Sequence, residues 1–219
     1  MLWRVHRTAS TYPANSFNSR NIAPLVDALT VDPRRDRIPR QGRFDPVHDE
    51  TICPGGSALG GYLYVGLSVG AVVAEGILRS IDIPKSGIVS RAGLAELSLT
   101  RMTLQQDLIV AVLDTQAGLA AINQDASLTG CTWREYADSR ATCTNILVAT
   151  SGAHGVRYRS RNGFDELSLL LVERGHTPDI MVDDTGALDR PGWAVDLVEE
   201  SLFDDFGVVL DRLWIDADR

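Results

Sequence analysis

Apolar positions along this chain fall into short alternating runs and a few helical stripes, set apart by two stretches that proline and glycine break up. Residues 2–6 alternate with the period of two that marks a strand with one buried face. Between Ser10 and Arg43, prolines at 13, 24, 33 and 39 leave room for one short helix around residues 24–29 in what is otherwise loop. A second broken stretch, Pro54-Gly55-Gly56-Ser57-Ala58-Leu59-Gly60-Gly61, leads into residues 62–67, whose aromatic and β-branched content predicts a strand. Ser68 then fits a helix N-cap, and Val69, Val72, Val73 and Ile77 supply the buried stripe of the helix it opens.

Farther on, residues 94–99 alternate and residues 108–113 form a short apolar run, so both read as strands, paired with each other. Residues 117–123 and 131–149 carry helical patterns. Residues 155–160 and 167–173 read as two strands, and Asn162-Gly163 between them is a strong hairpin signal. A helix over 194–206 and a strand over 208–214 complete the pattern. Strands and helices alternate without the regular cadence of βαβ units. The expected class is therefore α+β, with a mixed, mostly antiparallel sheet flanked by helices.

A chain of 219 residues, 44% of them hydrophobic, can bury one sizeable core plus an appendage. The expected division is a main domain over residues 1–175 and an acidic C-terminal extension over 176–219. That extension holds twelve acids against three arginines, while the whole chain is at −8, so the part before it is close to neutral. Trp193, Val195, Leu197, Val198 and Leu202 give the extension one apolar helix face, which predicts that it packs on the domain or on a partner. Residues 1–43 carry eight arginines against Asp27, Asp32 and Asp36, a distribution that suits either phosphate binding or a solvated face balanced by the acidic tail. Overall acidity argues against direct nucleic-acid binding. No apolar run reaches the length of a membrane span and the first residues lack signal-peptide character, which predicts a cytoplasmic protein. Cys53, Cys131 and Cys143 form no CxxC pair and read as reduced, buried fillers.

Several enzyme classes drop out for lack of their motifs. The sole lysine, Lys85, has no P-loop glycines before it, and there is no GxGxxG after a strand to hold a dinucleotide as a hydride carrier. Gly55-Gly56-Ser57-Ala58-Leu59 lacks the second glycine of a nucleophile elbow. His6, His48, His154 and His176 have no ligand spacing, so no catalytic metal is expected.

What remains is an ordered set: Gly42-Arg43-Phe44-Asp45, then Tyr62-Leu63-Tyr64-Val65-Gly66-Leu67-Ser68, then Ala71 and Glu75, with Gly155-Val156-Arg157-Tyr158-Arg159-Ser160 later. This set resembles the RES-domain family, which shows a glycine-arginine-aromatic step, a tyrosine on a strand, a helix opened by a small polar residue, and a glutamate eleven residues after the tyrosine. The start Leu2-Trp3-Arg4-Val5 and the apolar run over 167–172 are similar to the family's as well, and the likeness covers residues 2–173. Phe44-Asp45 stands where the family usually has tryptophan and asparagine, and residues 46–61 form a longer insertion between arginine and tyrosine.

The resemblance implies a fold similar to that of ADP-ribosyltransferase toxins. It implies cleavage of the nicotinamide–ribose bond of NAD+, by hydrolysis or phosphorolysis, in the toxin of a toxin–antitoxin pair with an Xre-like antitoxin. NAD+ is then the substrate, inorganic phosphate a possible co-substrate, and no cofactor or metal is needed. A homo-oligomer is allowed. Carried over by position, Arg43 and Glu75 are catalytic, and Tyr64, Ser160 and Phe44 contact substrate. In such chemistry positive charge builds on the ribose, so a carboxylate such as Glu75 stabilises it, and its loss is expected to cost activity and not folding. Arg43 matches phosphate oxygens, Tyr64 suits stacking on nicotinamide, and Ser160 suits a hydrogen bond to its amide or to a phosphate. The same residues admit plainer roles: an i,i+4 ion pair of Glu75 with Arg79, a surface Arg43, a core Tyr64 and a turn-shaping Ser160. ADP-ribosyl transfer to a protein and a non-catalytic RES-like interaction module are the alternative functions.

Overall fold

β1 (Leu2–Arg7) and β2 (Tyr62–Gly66) form where alternation and aromatic content place them, and they stand side by side in the middle of a seven-stranded sheet. The computed structural model describes residues 1–18, 42–79, 86–163 and 165–211. The helix expected around residues 24–29 and the end of the strand expected over 208–214 lie outside the described residues. The other strands of the large sheet are β4 (Leu97–Leu104), β5 (Ala111–Val112), β6 (Gly155–Arg159), β7 (Leu167–Val172) and β8 (Ile180–Ala187). Their spatial order is β5-β6-β7-β2-β1-β4-β8, antiparallel except at β5–β6. β3 (Ile88–Val89) and β9 (Val209–Leu210) make a small parallel pair. The class is α+β with a mixed, mostly antiparallel sheet, as the pattern predicts.

The expected pairing of residues 94–99 with 108–113 does not form. β4 starts at Leu97, after a 3-10 turn over Arg91–Leu94, and lies between β1 and β8. β5 keeps only two residues and pairs in parallel with β6 at the opposite edge. The chain between them winds through α2 (Gln116–Ala121), α3 (Ser127–Gly130) and α4 (Tyr136–Ala149), which provides the long crossover a parallel pair needs. The helix expected from residue 131 begins only at Tyr136 because Trp133–Glu135 forms a separate 3-10 turn.

One irregularity of the sheet positions the site. β1 pairs with β4, and β2 with β7, along their lengths, yet β1 and β2 meet only at Trp3 opposite Gly66. The sheet is thus two leaves joined at one point and split beyond it. Trp3 faces a core built with α1 (Val69–Val72) and α5 (Trp193–Phe206), and Leu2, on the other face, joins Leu63, Val65 and Met102. Residues 176–211 are part of this fold and not an extension to it. β8 completes the sheet on β4, and Ala194, Val195, Val198 and Leu202 of α5 share the Trp3 core. Gly207, at φ 63°, ends α5 with the left-handed residue that closes a helix most cheaply.

Candidate active site

β2 delivers Tyr64 to the split, and two residues after its end Ser68 turns the chain into α1. The Ser68 hydroxyl accepts the Ala71 N–H at 3.0 Å, the expected N-cap. Helix and strand approach so closely that a Cβ on Gly66 would lie 2.7 Å from Val72 Cγ1. Past Val72 the helix continues as a wider π-helical turn, Val73–Ile77, with the Leu78 N–H reaching the Val73 carbonyl at 2.9 Å. Such turns insert one residue into the helical ladder and redirect side chains. Val73, Ala74 and Ile77 point into the core and Glu75 points at the split.

Glu75 meets Arg43 there. Arg43 Nη2 lies 3.2 Å from Glu75 Oε1, and the Arg161 backbone N–H donates to the same oxygen at 3.0 Å. Oε2 takes no hydrogen bond among the described residues. Arg43 is 2% exposed, and its other terminal nitrogen donates to the Thr129 carbonyl. Its guanidinium sits 5.6 Å from the Phe44 ring and 5.7 Å from the Tyr158 ring. Burial opposes its charge, but Glu75, with the nearby Tyr158, Tyr136 and Cys131, more than offsets that and raises its pKa. A guanidinium so enclosed cannot reach a diphosphate. Arg43 therefore holds the Glu75 carboxylate instead of standing at the far end of the pocket from it. The direct ion pair of Glu75 among the described residues is with Arg43, while against burial Tyr136 and the Glu75 charge together raise the pKa of Arg79 one turn along.

Tyr64 is fixed by a carboxylate that the sequence presents only as a departure from the family pattern. Asp45, 1% exposed, accepts the Tyr64 hydroxyl at 2.9 Å, the Tyr62 hydroxyl at 3.0 Å and the Gly42 N–H at 2.7 Å. The Tyr64 oxygen in turn accepts the Phe44 N–H at 3.0 Å. Burial, and next the Asp45 charge, push the Tyr64 phenol well above its usual pKa, so it stays protonated. The insertion over residues 46–61 backs this loop. The Val47 N–H donates to Thr144 of α4 at 2.9 Å, and the His48 ring bonds the Gly60 carbonyl at 2.7 Å.

The cavity at the split is about 180 Å³ and is lined by Tyr64, Glu75, Arg79, Tyr158, Ser168 and Arg4, among others. Two expected contacts stand behind it. Phe44 is fully buried and packs edge-on against Tyr158 at 4.8 Å. Ser160, 3% exposed, bonds the Ser168 hydroxyl at 2.9 Å, and Ser168 is the one that lines the cavity. Both support the wall in place of touching a ligand. Arg79 is aimed by Tyr136, whose hydroxyl it meets at 3.0 Å and whose ring lies 5.3 Å from its guanidinium. Tyr158 and Ser168 could have been found by carrying strand alternation inward from Ser160 across the hairpin; Arg79 was visible only as a neighbour of Glu75. No group of His, Cys, Asp and Glu able to hold a metal occurs among the described residues. Among them, too, no helix is long and apolar enough to cross a membrane.

Fold and site together define an α+β protein with a split central sheet and a carboxylate facing a small aromatic cavity in that split. No protein-family model matches the chain, and no curated protein matches it in sequence. A chain in the crystal structure of the M. tuberculosis MbcT–MbcA toxin–antitoxin complex has a similar fold, with a TM-score of 0.51 and 14% identity over 90% of this chain and 87% of that one. At that identity the likeness speaks for the fold alone.

Proposed function

We propose that this chain cleaves the nicotinamide–ribose bond of NAD+. The observation that carries the reading is Glu75. Its carboxylate is held at one oxygen by Arg43 and the Arg161 N–H, and its other oxygen is left to a cavity walled by Tyr64 and Tyr158. The C1′–N bond breaks with its electron pair leaving on nicotinamide, which departs neutral. The positive charge left on the ribose is stabilised by the Glu75 carboxylate. Water or inorganic phosphate then bonds to C1′, giving ADP-ribose or ADP-ribose-1″-phosphate, with any proton released to solvent. Tyr64, locked by Asp45, offers its ring to nicotinamide. Arg43 and Ser160 are positioning residues for Glu75 and Ser168. No metal or cofactor is required.

NAD+ loss is toxic to a cell, and the fold is shared with a chain of a toxin–antitoxin complex. This supports the role of a toxin restrained by an antitoxin, and the sequence resemblance to RES proteins adds that the antitoxin is of the Xre-like, helical kind and the toxin cytoplasmic. Incubating the purified chain with NAD+, with and without phosphate, tests the reading. Free nicotinamide with ADP-ribose or its 1″-phosphate is expected. A labelled protein acceptor would point to ADP-ribosyl transfer, and intact NAD+ in both mixtures would end the proposal.

A further inference from the structure

The cavity at Glu75 is small for a dinucleotide, since pockets that enclose ligands of that order run to roughly 300–1,000 Å³. A larger one, about 510 Å³, lies against the other face of β1, and Arg4 lines both. Its wall includes Arg4, His6, Ser10, Tyr12, Ser16 and Asn18 and, among the described residues, no aspartate or glutamate, in a chain with 29 acids against 21 bases. Arg4 is partly buried and donates to the Ala14 and Ser16 carbonyls, which aim its guanidinium. Among the described residues no carboxylate pairs with it, and burial lowers its pKa without a neighbouring charge to restore it. A cation desolvated in this way is completed by an anionic ligand. His6, on the same face of the strand, is fixed to Thr100 at 2.8 Å and serves as a rigid wall. Tyr12, 73% exposed, stands at the rim with its ring free to meet a base.

We propose that this second cavity is an anion subsite for the phosphate-bearing, adenylate half of the dinucleotide, with Arg4 gripping the diphosphate where the two cavities meet. The inference rests on NAD+ being the substrate, and it supplies the phosphate contact that the enclosed Arg43 cannot make. Calorimetric titration of the full chain with ADP, adenosine and inorganic phosphate tests it, alongside the KM for NAD+. ADP is expected to bind at one site and far more tightly than phosphate or adenosine alone. Arg4→Met is expected to weaken ADP and raise the KM roughly tenfold or more, with Arg4→Lys intermediate. Tyr12→Ala, at a position 73% exposed and outside the core, is expected to weaken ADP roughly three- to tenfold. Phosphate binding as tightly as ADP, or ADP binding untouched by Tyr12→Ala and by a folded Arg4→Met, would overturn the subsite. ADP held at Arg4 by a protein that leaves NAD+ intact would sustain the subsite and remove the cleavage reading alone.

Discussion

Glu75 and Arg43 lie 32 residues apart in sequence and depend on each other in the fold, and this changes what a substitution at Glu75 does. Glu75→Gln keeps an oxygen for the Arg161 N–H but leaves a 2%-exposed guanidinium without its counter-charge. Breaking a buried pair from one side costs about 3–5 kcal/mol when both ions are fully enclosed. Glu75 is 17% exposed and the amide retains a dipole, so a loss of about 1–3 kcal/mol in urea unfolding is expected, together with the loss of activity. From the sequence, loss of Glu75 is expected to cost activity and not folding, and the buried pair with Arg43 adds the folding cost. His6 gives a pH signature. Burial, and after it the Arg4 charge, hold its pKa below the ordinary 6.5 despite a bond to the Arg7 carbonyl. The unfolded chain therefore binds more protons between the two values, and stability rises with pH through the window just below 6.5 and falls as pH drops through it. His6→Asn should flatten that slope in denaturant titrations between about pH 5 and 7.

At the scale of elements, the junction of β1, β2 and α1 sets the site, and Gly66 is its tightest point. Gly66→Ala would press a methyl against Val72 and Ala71, pushing α1 off the strand that carries Tyr64. A stability loss of about 1–3 kcal/mol is expected, and NAD+ turnover should fall more than that loss explains. Most of these elements were legible in the sequence because their signals are local. Alternation placed β1, the Ser68 cap opened α1, and Asn162-Gly163 joined β6 to β7. β8 was missed because Met181, Val182, Asp183, Asp184 and Thr185 are all exposed at the sheet edge, so no apolar alternation marks it. The partners of β4 and β5 are distant in sequence and follow from topology, which periodicity does not encode. Within the site, the Tyr64–Glu75 spacing was legible, whereas the burial of Arg43, Phe44 and Ser160 arises from packing against α4 and β7. Asp45 looked like a deviation and is the anchor of two tyrosines.

For the whole molecule, the acidic C-terminal part belongs to the folding unit. α5 covers the core that Trp3 and Leu99 share, and truncation before Trp193 would expose Val195, Val198 and Leu202's partners to water. Such a truncation is expected to yield aggregated or unfolded protein, and limited proteolysis of the full chain should spare Trp193–Phe206. Rapid release of that helix as a fragment would contradict the packing described here. The two cavities flank a single split in the sheet, so a ligand that spans them bridges the two leaves and should raise the melting temperature. The most direct test of the account is the product mixture that the purified chain makes from NAD+, compared with that of Glu75→Gln at a temperature where both are folded. Nicotinamide released by the native chain and reduced at least about a hundredfold in the variant is the expected result. Equal release by both, or none by the native chain, would contradict it.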